Sequence, residues 1–322
     1  MLRRLYAILL MFIYLLLMLP AYAGETPEEP ARYTAITSSS VEPRENAGSG
    51  KKLRKIRGDA KVEVMEYGEK WCRVRYRGTV GWVRTKYLWG FVSLDPLNWP
   101  SPQFTPCLGY VTLRGETQIK GGKFSGMAAP EGAVIAVYGE DLRLPVWRGV
   151  SELSADTGIY TPFTDWRTAE PGDLIAGFTT YYGKRTGAPL QTQRQFNIRL
   201  GCERIDGQTV EPEAEFSFNA LCAPYKLANG YQVAKNISHD GKGPGGGVCQ
   251  VSTTLYNALL SLPVPVTEWA AHRPSGVNYI PRSFDAAVGS TTDLKFRNTL
   301  PYPVIIKAQP QDGAITVLIA RK

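Results

Sequence analysis

The chain has 322 residues, 37 Lys and Arg against 29 Asp and Glu, and a formal net charge of +8. Hydrophobic residues make up 43%, and Gly (32) and Pro (23) are abundant, which suits a turn-rich, β-leaning protein of about two domains. This composition excludes a mainly disordered chain, a coiled coil and a multi-span membrane protein. With only two histidines, a three-histidine metal site within one chain is excluded, and a histidine base must be His239 or His272.

Met1 to Ala23 has a positive start (Arg3, Arg4) and an unbroken apolar run from Leu5 to Leu19. A small-x-small end follows at Ala21-Tyr22-Ala23. It reads as a signal peptide, with an uncleaved anchor as the alternative. Either way the remainder is expected outside the cell. Cleavage would leave a net charge of +6, a reason to expect contact with anionic surfaces such as wall polymers. Export permits disulfides, and five cysteines leave at least one unpaired unless it bonds another chain.

Gly24 to Ala31 is an acidic spacer, and residues 32–90 read as a small β-barrel. Lys61 to Tyr67, Trp71 to Tyr76 and Thr79 to Val83 alternate with period two between glycine turns, as antiparallel strands do. Cys72, Val74 and Tyr76 share one face, which makes Cys72 a buried core thiol. Lys51 to Arg57 carries five cations in seven residues, either a solvated strand face or a polymer-binding stripe. Val74 to Leu88 (VRYRGTVGWVRTKYL) resembles the closing strands of a bacterial SH3 domain, through Gly81-Trp82-Val83 and Tyr87-Leu88. That resemblance implies a wall-binding or spacer module.

Phe91 to Pro106 contains four prolines and is expected to be an extended connector. Residues 107–171 are β-rich and stand either as a separate domain or as an elaboration of the C-terminal part of the chain. Gly132 to Tyr138 reads as a buried strand, and Leu142 to Trp147 as an edge strand limited by Pro145. The chain ends in a hairpin, Val304 to Ala308 and Ala314 to Ala320, around Asp312-Gly313.

The densest signal runs from Gly241 to Leu262 (GKGPGGGVCQVSTTLYNALLSL). Four of the five residues from Gly243 to Gly247 are glycine. Val251, Leu255, Leu259 and Leu262 then recur at helical spacing until Pro263. Cys249 therefore falls in the first turn of a helix. Unpaired N–H groups and the positive helix end there stabilise a thiolate and could hold an oxyanion. The plain alternatives are a buried thiol, half of a disulfide, or a loop that cradles an anion. No Gly-Lys-Ser/Thr closes the loop, so it is not a Walker loop. Spacing alone does not choose between His239 and His272 as partner. No Cys-x-x-Cys or His-x-x-x-His points to a metal.

From about Gly172 the chain resembles the VanW domain family, taken as residues 172–310, with residues 311–322 completing the terminal hairpin. The likeness is carried by Gly177-Phe178-Thr179-Thr180, Arg194-Gln195-Phe196-Asn197, Glu215-Phe216-Ser217-Phe218-Asn219 and Gly230-Tyr231. It continues through Gly245-Gly246-Gly247-Val248-Cys249-Gln250-Val251-Ser252-Thr253-Thr254-Leu255-Tyr256-Asn257, then His272, Tyr279, Pro281, Asp285-Ala286-Ala287-Val288 and Asp293-Leu294-Lys295-Phe296-Arg297-Asn298. There are departures. Pro212-Glu213-Ala214 stands where the family tends to have Pro-Gly-Glu, Trp269 stands where it often has arginine, and Ala287 replaces a threonine.

The family takes its name from a glycopeptide-resistance cluster, and some wall-associated members act as L,D-transpeptidases. The resemblance therefore implies a multidomain, β-rich protein: an SH3-like barrel, then an α+β domain whose catalytic Cys249 lies at a helix N-terminus. It selects His272 as base, with Asp285 as its orienter or else a structural turn aspartate. It implies an oxyanion hole from the N–H groups of Gly247, Val248, Cys249 and Gln250, with Gly246 among the oxyanion or substrate-binding residues, and a cleft lined by Ser252, Thr253, Tyr256 and Tyr279. Arg273 and Arg282 either pair with a stem carboxylate or are solvated. The expected partners are peptidoglycan stem peptides and anionic wall polymers, with no nucleic acid, no metal and no organic cofactor. Membrane contact is expected only through an uncleaved anchor. Two rival readings stand beside it: a wall-directed cysteine peptidase, and a non-catalytic wall-binding protein. Cys202 and Cys222 are either a disulfide or two buried thiols.

Overall fold

The structure is a computed structural model that describes residues 29–96, 101–122, 127–146, 150–154, 157–182, 190–236, 241–272, 277–281 and 284–322. The leader, His239, Arg273 and Arg282 lie outside the described residues. Ala31–Lys322 forms one compact unit.

Seven strands build the first barrel: β1 (Tyr33–Thr37), β2 (Arg44–Asn46), β3 (Ser49–Lys52), β4 (Lys61–Glu66), β5 (Trp71–Tyr76), β6 (Thr79–Arg84) and β7 (Leu88–Ser93). Their order in the sheet is β3-β2-β6-β5-β4-β1-β7. The period-two pattern becomes a buried face in which Val62, Val64, Cys72, Val74 and Val83 meet Tyr33, Ile56 and Phe91. Cys72 is buried beside the Thr85 hydroxyl, 3.4 Å away. Within the basic stretch Ile56 is buried, while Lys51, Lys52, Arg54, Lys55 and Arg57 are exposed. One expectation is corrected here. Phe91 does not begin a connector, because β7 runs on to Ser93 and Phe91 fills the barrel core.

Five short strands follow: β8 (Gly109–Leu113), β9 (Thr117–Gln118), β10 (Ala128–Ala129), β11 (Val134–Val137) and β12 (Gly158–Pro162). They surround their own core of Val111, Leu113, Ile135 and Val137, closed by Tyr181 and Ala314 from the next layer. The expected edge strand at Leu142 to Trp147 is absent among the described residues. Arg143 makes only an isolated bridge to Glu152, and Pro145 has no N–H to extend a ladder.

The last part contains β13 (Leu174–Tyr181), α1 (Gln191–Ile205), β14 (Thr209–Val210), β15 (Glu215–Ser217), α2 (Phe218–Cys222), β16 (Val233–Lys235), β17 (Lys242–Pro244), α3 (Val248–Leu259), β18 (Val266–Glu268), β19 (Lys295–Arg297), β20 (Val304–Pro310) and β21 (Ala314–Arg321). The main sheet is β13-β21-β20-β14, and β15-β19-β18 forms a second one. Helix α3 packs against β13, β21 and α1. From Gln250 to Leu259 every residue of α3 is buried, so its polar side chains must find partners inside the protein. The helix stops at Leu259, and Leu262 lies in the turn before Pro263.

Helix α1 carries no hydrophobic period for a sequence reading to catch. Its buried stripe is Asn197, Ile198, Gly201, Cys202 and Ile205, at helical spacing but with an amide and a glycine in place of apolar side chains. Gly201 lets Val251 of α3 come close: a Cβ there would lie 3.3 Å from a Val251 methyl group.

Candidate functional site

Cys249 is the second residue of α3, after a Gly245-Gly246-Gly247 turn. Gly247 caps the helix at φ +110°, a conformation that favours glycine. A Cβ on Gly247 would lie 2.9 Å from Cγ of Arg194, and one on Gly246 would lie 2.9 Å from the Ala234 carbonyl. The loop is glycine-rich because α1 and β16 press on it. Asn197 holds it from α1, donating to Gly246 O at 3.1 Å and to Gln232 O at 2.8 Å.

Three sequence-distant residues converge at the head of α3. Asp285 is fully buried, and one of its oxygens accepts two bonds from His272: 2.7 Å from the backbone N–H and 2.8 Å from Nδ1. A carboxylate accepts only, so Nδ1 is the protonated nitrogen in this pair and Nε2 is left for the sulfur. His272 also makes a side-chain hydrogen bond to Cys249. The thiol in turn approaches Val288 O at 3.4 Å. Burial alone would lower the His272 pKa, but hydrogen bonds to Asp285 and Cys249, with electrostatic attraction from the same two residues, push it up to about 10.

The sign of the resulting pH dependence comes from linkage. His272 holds its proton more tightly folded than unfolded. Its contribution to stability is therefore full below about pH 6.5 and is lost as pH rises toward about 10. The urea midpoint of wild type is expected to exceed that of His272→Gln by more at pH 6 than at pH 9.5. A gap that widens with pH would contradict the buried pair.

The loop carrying Asp285 is pinned to α3. Ser252 donates to Ala286 O at 2.8 Å, and Thr253 accepts from Ala286 N at 3.0 Å. Asn257 donates to Phe284 O at 2.6 Å. Ser252 and Thr253 were expected to line a cleft; both are fully buried and hold the Asp285 loop instead. Tyr256 is likewise buried, stacked on Trp269 with ring centroids 5.5 Å apart. The Gln250 side chain points into the core, donating to Thr180 at 3.1 Å and accepting from Arg194 at 2.7 Å. Of the expected oxyanion donors, the Val248 and Gln250 amides are already bonded to Gly245 O and Gly247 O. The Gly247 and Cys249 amides stand at the same helix start. Tyr279 is half-buried and hydrogen-bonded to Thr253. Burial and the nearby Cys249 push its pKa up, so its phenol stays neutral.

The sequence pattern assigned no role to Arg194, Asn197 or Trp269, although each holds part of the site. Arg194 and Asn197 stand three apart, on one helix face, which was the available signal. Among the described residues no group of three or more His, Cys, Asp or Glu side chains could hold a metal ion.

Cys249 is half-buried, whereas Cys72, Cys107, Cys202 and Cys222 are buried free thiols. Cys202 and Cys222 thus take the second of their two alternatives. Burial pushes all four thiols up, Cys222 to about 12. Iodoacetamide at pH 7.5 is expected to modify Cys249 first, with the other four reacting only on unfolding. Equal labelling of Cys72 or Cys107, read by peptide mass, would contradict this.

Comparison with known proteins agrees with this architecture. Residues 193–320 match the model of the VanW like protein family, and residues 55–90 match that of the bacterial SH3 domain. The chain is similar to the uncharacterized protein YoaR of Bacillus subtilis (strain 168), with 33% identity over 148 residues, 45% of this chain and 47% of that protein. It thus spans about half the length of this curated relative. No solved structure matches the chain. A VanW-like domain joined to a bacterial SH3 domain fits a cell-wall-associated protein. On the matched segments and the motifs they contain, the chain carries a VanW-like domain preceded by a bacterial SH3 domain.

Proposed function

We propose that this is an exported cell-wall enzyme, a peptidoglycan L,D-transpeptidase that works through a Cys249 acyl-enzyme. The observation that carries the reading is the convergence of Cys249, at the start of α3, with His272 and the buried Asp285. A nucleophile, a base and a group that orients the base are what acyl transfer needs.

In this reading His272 already holds the proton of the pair, and the Cys249 thiolate Sγ bonds to the carbonyl carbon of a diaminoacid–D-alanine link in a donor stem. The developing oxyanion faces the Gly247 and Cys249 N–H groups. The C–N bond then breaks, and His272 gives its proton to the departing D-alanine amine. A side-chain amine of a neighbouring stem attacks the thioester and gives its proton to His272. The new amide forms, the C–S bond breaks, and the Cys249 thiolate is restored beside the protonated His272. Water in place of the amine would turn the same intermediate into hydrolysis.

Incubation with purified muropeptides tests the proposal. Cross-linked dimers with release of D-alanine are expected. Shortened monomers alone would replace it with a peptidase. Wall binding with neither product would reduce the protein to a binding module.

The SH3 barrel supplies the wall contact in this reading. A cleft of about 480 Å³ on it is lined by Arg44, Lys52, Lys55, Arg84, Trp71 and Tyr87, with Glu42 also in the lining and paired to Lys52 at 2.7 Å. The Arg84 guanidinium lies 5.3 Å from the Trp71 ring centroid. Lys55→Glu with Arg84→Glu is expected to weaken binding to purified anionic wall polymer about tenfold at low salt, with the difference closing at high salt. Unchanged binding at low salt would remove the cleft from the wall contact.

A further inference from the structure

The SH3 barrel touches the loop that carries the candidate base. Gly90, buried in β7, has φ +61°, and a Cβ there would collide with the Trp269 ring, at 2.9 Å from Cζ3. Trp269 stands three residues before His272, where the family resemblance expects arginine. Its ring is held on three sides. The edge meets Gly90, and one face stacks on Tyr256 of α3 at an interplanar angle of 23°. The indole N–H donates to the backbone carbonyl of Asp285 at 3.0 Å. A further bond, Ala287 N–H to Ala270 O at 2.7 Å, ties the Trp269 and Asp285 strands of the loop together.

We infer that Trp269 is a positioning residue through which the SH3 barrel sets the geometry of the Asp285–His272 pair. The inference rests on the catalytic reading of Cys249 and His272 given above. A tethered binding module would leave the catalytic set indifferent to its presence. Here the barrel's β7 backbone forms one wall of the slot that fixes the indole, and the indole fixes the Asp285 backbone. Asp285 then holds both the backbone and Nδ1 of His272. Displacing Trp269 would move the carboxylate that orients the base, and small displacements of catalytic groups have large kinetic effects. Wall engagement at the barrel and chemistry at Cys249 would thereby share one mechanical element.

The test uses the full chain and reads the pH dependence of Cys249 alkylation, by peptide mass at that residue. Five proteins are compared: wild type, His272→Gln, Trp269→Phe, Gly90→Ala and Gly78→Ala. Trp269→Phe keeps an aromatic ring but loses the donor to Asp285 O. Gly78, at φ +76° in the same barrel with nothing within 4 Å of a built Cβ, reports backbone strain without contact to Trp269. Trp269→Phe and Gly90→Ala are expected to slow alkylation about tenfold at pH 7. They should also move the pH–rate profile toward that of His272→Gln, while Gly78→Ala retains the wild-type profile. Wild-type profiles for Trp269→Phe and Gly90→Ala, beside a shifted His272→Gln, would overturn the inference and leave the Cys–His pair standing. A shift in Gly78→Ala equal to that in Gly90→Ala would assign the effect to strain and overturn it as well. An unshifted His272→Gln would instead remove the pair on which the inference rests.

Discussion

Cys249→Ser is expected to lower the rate of cross-linked muropeptide formation by about a thousandfold or more, while the thermal midpoint stays near that of wild type. The two expectations have separate causes. Serine is close in size to cysteine and can still donate to Val288 O, the contact that the thiol makes at 3.4 Å. The head of α3 and its glycine turn therefore keep their packing. What changes is the chemistry. A hydroxyl at this position is a far weaker nucleophile than a thiolate supported by a helix N-terminus and an imidazolium. Retention of full wall-modifying activity would show that the nucleophile lies elsewhere. Loss of activity with wall binding intact would count against a pure binding module.

Asp285→Asn is expected to cost about a thousandfold in kcat with little change in KM. One Asp285 oxygen accepts from both the backbone and Nδ1 of His272, inside a fully buried site. An amide of the same shape carries no charge to balance the imidazolium that forms in each proton transfer. It can also turn its NH2 toward Nδ1 and select the wrong tautomer. The variant should lose stability most at acid pH, where a charged His272 would remain without its counter-charge. Wild-type kcat in Asp285→Asn would make Asp285 a structural turn residue, the alternative that the sequence left open.

Both predictions depend on contacts that no local pattern records. The strands of the SH3 barrel were legible because each places a period-two stripe within six residues, and one face of that stripe must be buried. The terminal hairpin around Asp312-Gly313 was legible for a different reason: a turn between two apolar runs, the second buried on both faces. The start of α3 was legible because a glycine run followed by a 3.6-residue period marks a helix N-terminus. Helix α1 was not, because Asn197 and Gly201 occupy its buried face in roles that hydropathy does not register. Asn197 ties down the glycine loop, and Gly201 admits Val251.

Ser252, Thr253, Tyr256 and Gln250 show the same limit from the other side. They follow Cys249 along the helix, and the family resemblance implied a substrate cleft for the first three and an oxyanion donor for Gln250. A helix turns its side chains outward in every direction, so neighbours of a reactive residue along the chain point elsewhere. Here they point into the core and into the Asp285 loop.

By itself, the sequence determined that Cys249 opens a helix behind a glycine turn, and that only two histidines could serve it. Both conclusions come from short-range geometry and from counting. The tertiary structure decided that Asp285, thirteen residues after His272, returns to hold its ring. It also decided that the other four cysteines are buried and that Trp269 lies between the barrel and the site. These are long-range pairings, made by side chains on loops with no period of their own, and they exist only once the packing around α3 brings those loops together.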